Sequence, residues 1–166
     1  MSGIELTPKN FQIELDSDTF KQWIRFLYEN SYIDHDDNER TIQFYVASYF
    51  VNMMMPPTPR YYPRKIFIEG FDQHTGKYPD LHIKDIDGNI STWVEIKSFT
   101  KNSPNGRKNE IKKDLDSLIN AKENNSLPLY LVLTKSGWDA RNMIEEIAES
   151  DKIFNEGIHY IEVLLG

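Results

Sequence analysis

The chain has 166 residues, 39% of them hydrophobic and 27% charged, a net charge of −7 and no cysteine. That length suits one domain, here residues 1–166, with a core of its own, and the composition excludes a wholly disordered chain. Without cysteine there is no thiol nucleophile, disulfide framework, zinc ribbon or iron–sulfur centre. No apolar run nears the roughly 18 residues of a bilayer span, and the first sixteen residues lack a basic stretch followed by an apolar one. The expectation is a cytoplasmic protein with no membrane partner.

In chain order, the first residues read as an irregular or weakly extended lead. Asp16, Ser17 and Asp18 offer helix caps. Phe20, Trp23, Ile24 and Leu27 then recur at helical spacing, which predicts a helix over 18–30. After a polar break, Asp37 or Asn38 can cap a second helix over about 39–54, which the prolines from Pro56 onward terminate. Residues 64–70 read as a strand. Two alternating runs, 78–86 and 89–98, flank Asp87-Gly88, a strong hairpin signal. Residues 103–125 begin as a loop and become a helix with Ile111, Leu115, Leu118 and Ile119 on one face. The continuous apolar run 127–134 predicts a buried central strand. A further helix in 136–150 and a last strand in 157–166 complete the order α-α-β-β-β-α-β-α-β. That order predicts an α/β fold, a mixed sheet flanked by helices.

Charge is unevenly spread. Residues 60–113 hold 11 Lys+Arg against 7 Asp+Glu, a net of +4, and the rest hold 8 against 19, a net of −11. A basic centre between acidic flanks suits a polyanionic partner, although ordinary surface scatter gives such numbers as well.

The hairpin carries the chemistry. If Asp87-Gly88 is a two-residue type I′ turn, the numbers of paired residues sum to 175, so Asp80 lies opposite Glu95 and His82 opposite Trp93. Opposed residues have Cβ atoms about 4.5–5.5 Å apart, and alternation puts Lys97 on the same face as Glu95. A three-residue turn would send Asp80 and Glu95 to opposite faces unless a bulge restored them. Two opposed carboxylates repel unless a cation neutralises them. Mg²⁺ takes one or two carboxylates and completes its shell with water and phosphate oxygens. An ammonium beside it can hold a water and offset charge in a phosphoryl transition state. The same residues on an exposed sheet face would form ordinary salt bridges.

Pro79-Asp80, fourteen intervening residues and Glu95-Ile96-Lys97 resemble the signature of the PD-(D/E)XK phosphodiesterases, the restriction-endonuclease-like superfamily. The resemblance implies a core of helix, three-stranded meander, helix and strand (α-β-β-β-α-β), which matches the reading of residues 39–134. It implies that Asp80, Glu95 and the main-chain carbonyl of Ile96 bind Mg²⁺ or Mn²⁺, that Lys97 is the catalytic cation, and that an acid from the preceding helix joins them. Glu39 fits that role best, with Glu29, Asp36 and Asp37 as competitors. At the start of a helix it is also a residue the helix dipole favours. Lys112 and Lys113 stand where some branches place glutamine or tyrosine.

The expected substrate is nucleic acid, DNA first, cut to leave a 5′-phosphate, with a homodimer if both strands are cut. The basic segment 98–109 after Lys97 offers Lys101, Arg107 and Lys108 as substrate contacts, with Lys112 and Lys113 on the next helix. Weaker candidates are His35 in an acidic loop, His82 facing Trp93, and His74 and His159 with no distinctive context. Met53, Met54 and Met55 read as core filling. The proline-rich segment 56–64 reads either as a base-stacking, phosphate-gripping loop or as a rigid connector. A different class of function stays open, a non-catalytic interaction or regulatory module of the immunity or anti-defence kind, which small size and acidic flanks favour.

Overall fold

The computed structural model describes residues 3–33, 39–70 and 79–166. Five helices and five strands follow in the order α1 (Pro8–Leu15), α2 (Asp18–Glu29), α3 (Glu39–Met54), β1 (Ile66–Ile68), β2 (Leu81–Lys84), β3 (Ile90–Phe99), α4 (Lys108–Glu123), β4 (Leu127–Thr134), α5 (Ala140–Ile147) and β5 (His159–Leu164). A 3₁₀ turn, Pro104–Arg107, leads into α4.

The strands form one mixed sheet in sequential order. β1, β2 and β3 are an antiparallel meander, whereas β4 and β5 run parallel to β3. Parallel neighbours need crossovers, and α4 and α5 supply them. Alternation along β3 and β4 feeds two cores. Val94, Ile96, Leu129 and Leu131 pack with Phe11, Phe20, Ile42, Val46 and Phe50 under α1–α3. Trp93, Phe99, Tyr130 and Val132 pack with Ile111, Leu115, Leu118 and Ile144 under α4 and α5. The period-2 rule therefore assigns Glu95 and Lys97 to the α4 side, between Trp93 and Phe99. No helix among the described residues is long and apolar enough to cross a membrane.

Two sequence expectations are corrected. The lead is helical over Pro8–Leu15. Thr7 caps it through the Asn10 N–H, proline takes the first turn, and Phe11 and Leu15 are fully buried. A cap of this kind contributes about 1 kcal/mol. Tertiary anchors do more for so short a helix. Glu14, buried on α1, accepts from the Tyr61 hydroxyl at 2.6 Å and pairs with Arg60 at 2.9 Å. The proline-rich segment 56–64 is thus pinned to α1 through Arg60 and Tyr61.

The second correction concerns the hairpin tip. The turn is a three-residue loop, Ile86-Asp87-Gly88, closed by the Asp85 N–H on the Asn89 carbonyl at 2.8 Å. Asp85 Oδ1 accepts from the N–H groups of both Asp87 and Asn89, which draws Asn89 across. Gly88 takes the left-handed position at φ 83° that such loops require. A bulge compensates. Lys84 pairs with Ile90, Ile83 with Thr92, and Ser91 is the extra residue. Below the bulge the register is Ile83–Thr92, His82–Trp93 and Leu81–Val94, each summing to 175.

Candidate active site

Continuing that register one step sets Asp80 opposite Glu95. Their carboxyl groups lie close enough to interact. Asp80 Oδ2 also accepts from the Ile96 N–H at 2.7 Å and Oδ1 from Gln43 Nε2 at 2.9 Å. Glu95 is 5% exposed, and its Oε1 accepts from the indole N–H of Trp93 at 2.9 Å. Burial raises both carboxyls. Glu95 rises well above its ordinary range, pushed further by the charges of Asp80 and Asp114. Both shifts favour the protonated acids, Glu95 more strongly than Asp80.

Lys97, 6% exposed, lies two residues along the same face. Its ammonium meets Asp114 Oδ2 of α4 at 3.0 Å and stands 3.8 Å from Glu39 Oε1. Burial pulls its pKa down, but Asp114 and Glu39 together override that and raise it, so the ammonium is charged at neutral pH. Tyr130 of β4 donates to the same Asp114 oxygen at 3.0 Å. Burial dominates at Asp114 and lifts it to about 6 despite the neighbouring ammonium.

Glu39, on the first turn of α3, reaches the end of β3. Its Oε1 accepts from the Ser98 N–H at 3.2 Å and from Arg107 Nη1 at 2.6 Å. Arg107 also donates to the Ser98 carbonyl at 2.8 Å and to Glu110. The basic loop expected before α4 is instead a 3₁₀ turn, and Arg107 is drawn inward, its side chain 12% exposed. Lys101, Lys108, Lys112 and Lys113 are exposed.

The structure brings Asp80, Glu95, Lys97, Glu39 and Arg107 together. It places Glu29 at the exposed end of α2 and His159 beside Gln12. His82 is buried, its ring stacked on Phe67 at 4.6 Å. Of the three methionines only Met54 is buried, and Met55 is 53% exposed. His35, Asp36, Asp37, Asn38 and His74 lie outside the described residues.

Sequence reasoning missed Gln43, Asp114 and Tyr130. Gln43 follows Glu39 by four residues and shares its helix face. Asp114 sits between Ile111 and Leu115 on the inward face of α4, where a polar residue is out of place. The hydroxyl of Tyr130 is hidden inside an apolar run.

Among the described residues no three Asp, Glu or His side chains converge into a metal cage. Mg²⁺ does not need one. Two carboxylates and a main-chain carbonyl, with water for the rest, suffice. Asp80 and Glu95 supply the two carboxylates of the site, and the main chain at Ile96 adjoins them through its N–H on Asp80. Comparison of the chain with family models, with curated proteins and with solved structures finds no match.

Proposed function

We propose that this chain is a metal-dependent phosphodiesterase of the PD-(D/E)XK kind that hydrolyses the DNA backbone. The observation that carries the reading is the pair of opposed carboxylates, Glu95 buried and Asp80 half-buried, with the charged Lys97 two residues along the same face. A purely structural face gains nothing from opposing two acids. The element order α3-β1-β2-β3-α4-β4 supports the reading, being the order that the resemblance implies.

On this reading Asp80, Glu95 and the carbonyl of Ile96 hold Mg²⁺ or Mn²⁺. Bound there, the ion supplies a polarised phosphate oxygen and a more acidic water. The chain's own residues do the rest. Gln43 and the Ile96 N–H fix the rotamer of Asp80. Asp114 and Glu39 hold Lys97 as an ammonium, one N–H of which can orient the attacking water and offset charge on the phosphate.

The expected result is that purified protein cleaves duplex, single-stranded or branched DNA with Mg²⁺ or Mn²⁺ and that EDTA stops it. Lys97→Ala lowers the rate by about 10²–10³ and keeps metal affinity, whereas Asp80→Ala loses both. Folded wild-type protein that cleaves no DNA or RNA and binds no metal by calorimetry overturns the proposal and leaves a non-catalytic module on the same fold.

A further inference from the structure

Glu39 entered as the acid that the preceding helix adds to the catalytic set, and its contacts are with cations and an amide. Oε1 is engaged by Arg107 Nη1 at 2.6 Å, by the Ser98 N–H at 3.2 Å and, more distantly, by Lys97 at 3.8 Å. An oxygen facing two cations and an amide donor has little left for a third cation.

Arg107 is the best-fixed cation near the site. Nη1 donates to Glu39 and to the Ser98 carbonyl, Nε donates to Glu110, and the guanidinium lies over the Phe99 ring at 5.9 Å. These contacts use Nε and Nη1, and Nη2, with two N–H donors, takes no part in them. The side chain keeps 12% exposure and forms part of a shallow depression shared with Asn102, Asn105, Gly106, Lys108, Asn109 and Glu110. A guanidinium already held in one rotamer loses little entropy when it binds an anion, and its fork geometry matches phosphate oxygens. Lys108 on the rim offsets the charge of Glu110.

We propose that Glu39 is a positioning residue: it holds Arg107 so that Nη2 donates to a non-bridging phosphate oxygen of a nucleic-acid backbone lying in the depression. The inference rests on the phosphodiesterase reading for its substrate and departs from it on the task of Glu39.

The test separates the two. Binding of a fluorescein-labelled DNA oligonucleotide is measured by anisotropy in EDTA at fixed low salt, and Mn²⁺ binding by calorimetry. Circular dichroism checks that each variant is folded. Arg107→Gln weakens DNA binding about tenfold. Arg107→Lys weakens it nearly as much, because one ammonium cannot hold Glu39, Ser98 and Glu110 and still donate outward, and this variant carries the test if Arg107→Gln does not fold. Glu39→Gln weakens DNA binding about threefold and leaves Mn²⁺ affinity within about twofold of wild type, whereas Asp80→Asn lowers Mn²⁺ affinity about tenfold or more. DNA binding unchanged in folded Arg107 variants overturns the inference, as does a loss of Mn²⁺ affinity in Glu39→Gln equal to that in Asp80→Asn. Wild type that binds Mn²⁺ but not DNA also overturns it. Wild type that binds DNA but not Mn²⁺ overturns the metal-dependent reading alone, and the Arg107 variants then decide. Wild type that binds neither overturns both.

Discussion

Two halves of one site, a few residues apart on β3, solve the burial of charge in opposite ways. Around Lys97 every acid has a cation. Asp114 faces the ammonium at 3.0 Å, and Glu39 faces both the ammonium and Arg107. Around Glu95 acid faces acid, with neutral N–H groups from Ile96, Gln43 and Trp93 as the other partners. The first half is complete as the chain folds. The second half keeps an acid–acid repulsion that no side-chain cation of its own offsets, and on the proposed reading a bound cation would relieve it.

The largest effect expected from breaking this contrast is on the self-neutralised half. Lys97→Met keeps the volume but strands Asp114 and Glu39 without their shared ammonium. Removing one partner of a buried ion pair costs about 3–5 kcal/mol, so chemical denaturation should show a loss of that order. A variant as stable as wild type would mean that Arg107 alone carries both acids.

The cation-short half should respond with the opposite sign. Glu95→Gln removes the repulsion, and metal-free protein at pH 8 should gain about 1 kcal/mol. The pH dependence follows from the same shifts. Asp80 and Glu95 are raised, and Asp114 is raised to about 6. The folded state therefore holds protons that the unfolded state, titrating near ~4, has released. Stability from these groups is complete below about pH 4. It is lost as pH rises past about 6, Glu95 being the last to let go. Glu95→Gln should flatten that decline in a thermal melt series. Added Mn²⁺ should reverse it, with a thermal shift that grows from pH 5.5 to 8, because the ion must displace the proton. A Mn²⁺ shift independent of pH would remove the proton from the account.

The smallest effect is expected at the hairpin tip, away from both halves. Gly88 sits at φ 83° with open space around its Cα. Gly88→Ala meets only backbone strain, about 1 kcal/mol, and should leave Mn²⁺ affinity unchanged.

Much of this was legible in the sequence. The second predicted helix spans 39–54 in the sequence reading and Glu39–Met54 in the structure, because Pro56 fixes its end. β4 coincides with its apolar run. The opposition of Asp80 and Glu95 was legible as a register, yet for an incomplete reason, since the loop is one residue longer than assumed and Ser91 makes up the difference. Arg107 was chosen for its charge alone, and charge does not reveal which cations are consumed by internal acids. The lead helix carried its signals in Thr7 and Pro8, but its stability comes from Glu14 meeting Tyr61, a contact 47 residues apart that no local pattern displays.

The compensated hairpin imposes a parity rule on the gene. A one-residue loop extension and a one-residue bulge cancel, so Asp80 and Glu95 share a face only while both are present or both are absent. Deleting Ser91 alone, or shortening Ile86-Asp87-Gly88 by one, inverts every side chain between the tip and the site. Deleting both restores it. Insertions and deletions in this hairpin are therefore tolerated in pairs, and a homologous chain with a two-residue tip should also lack a residue at the position of Ser91.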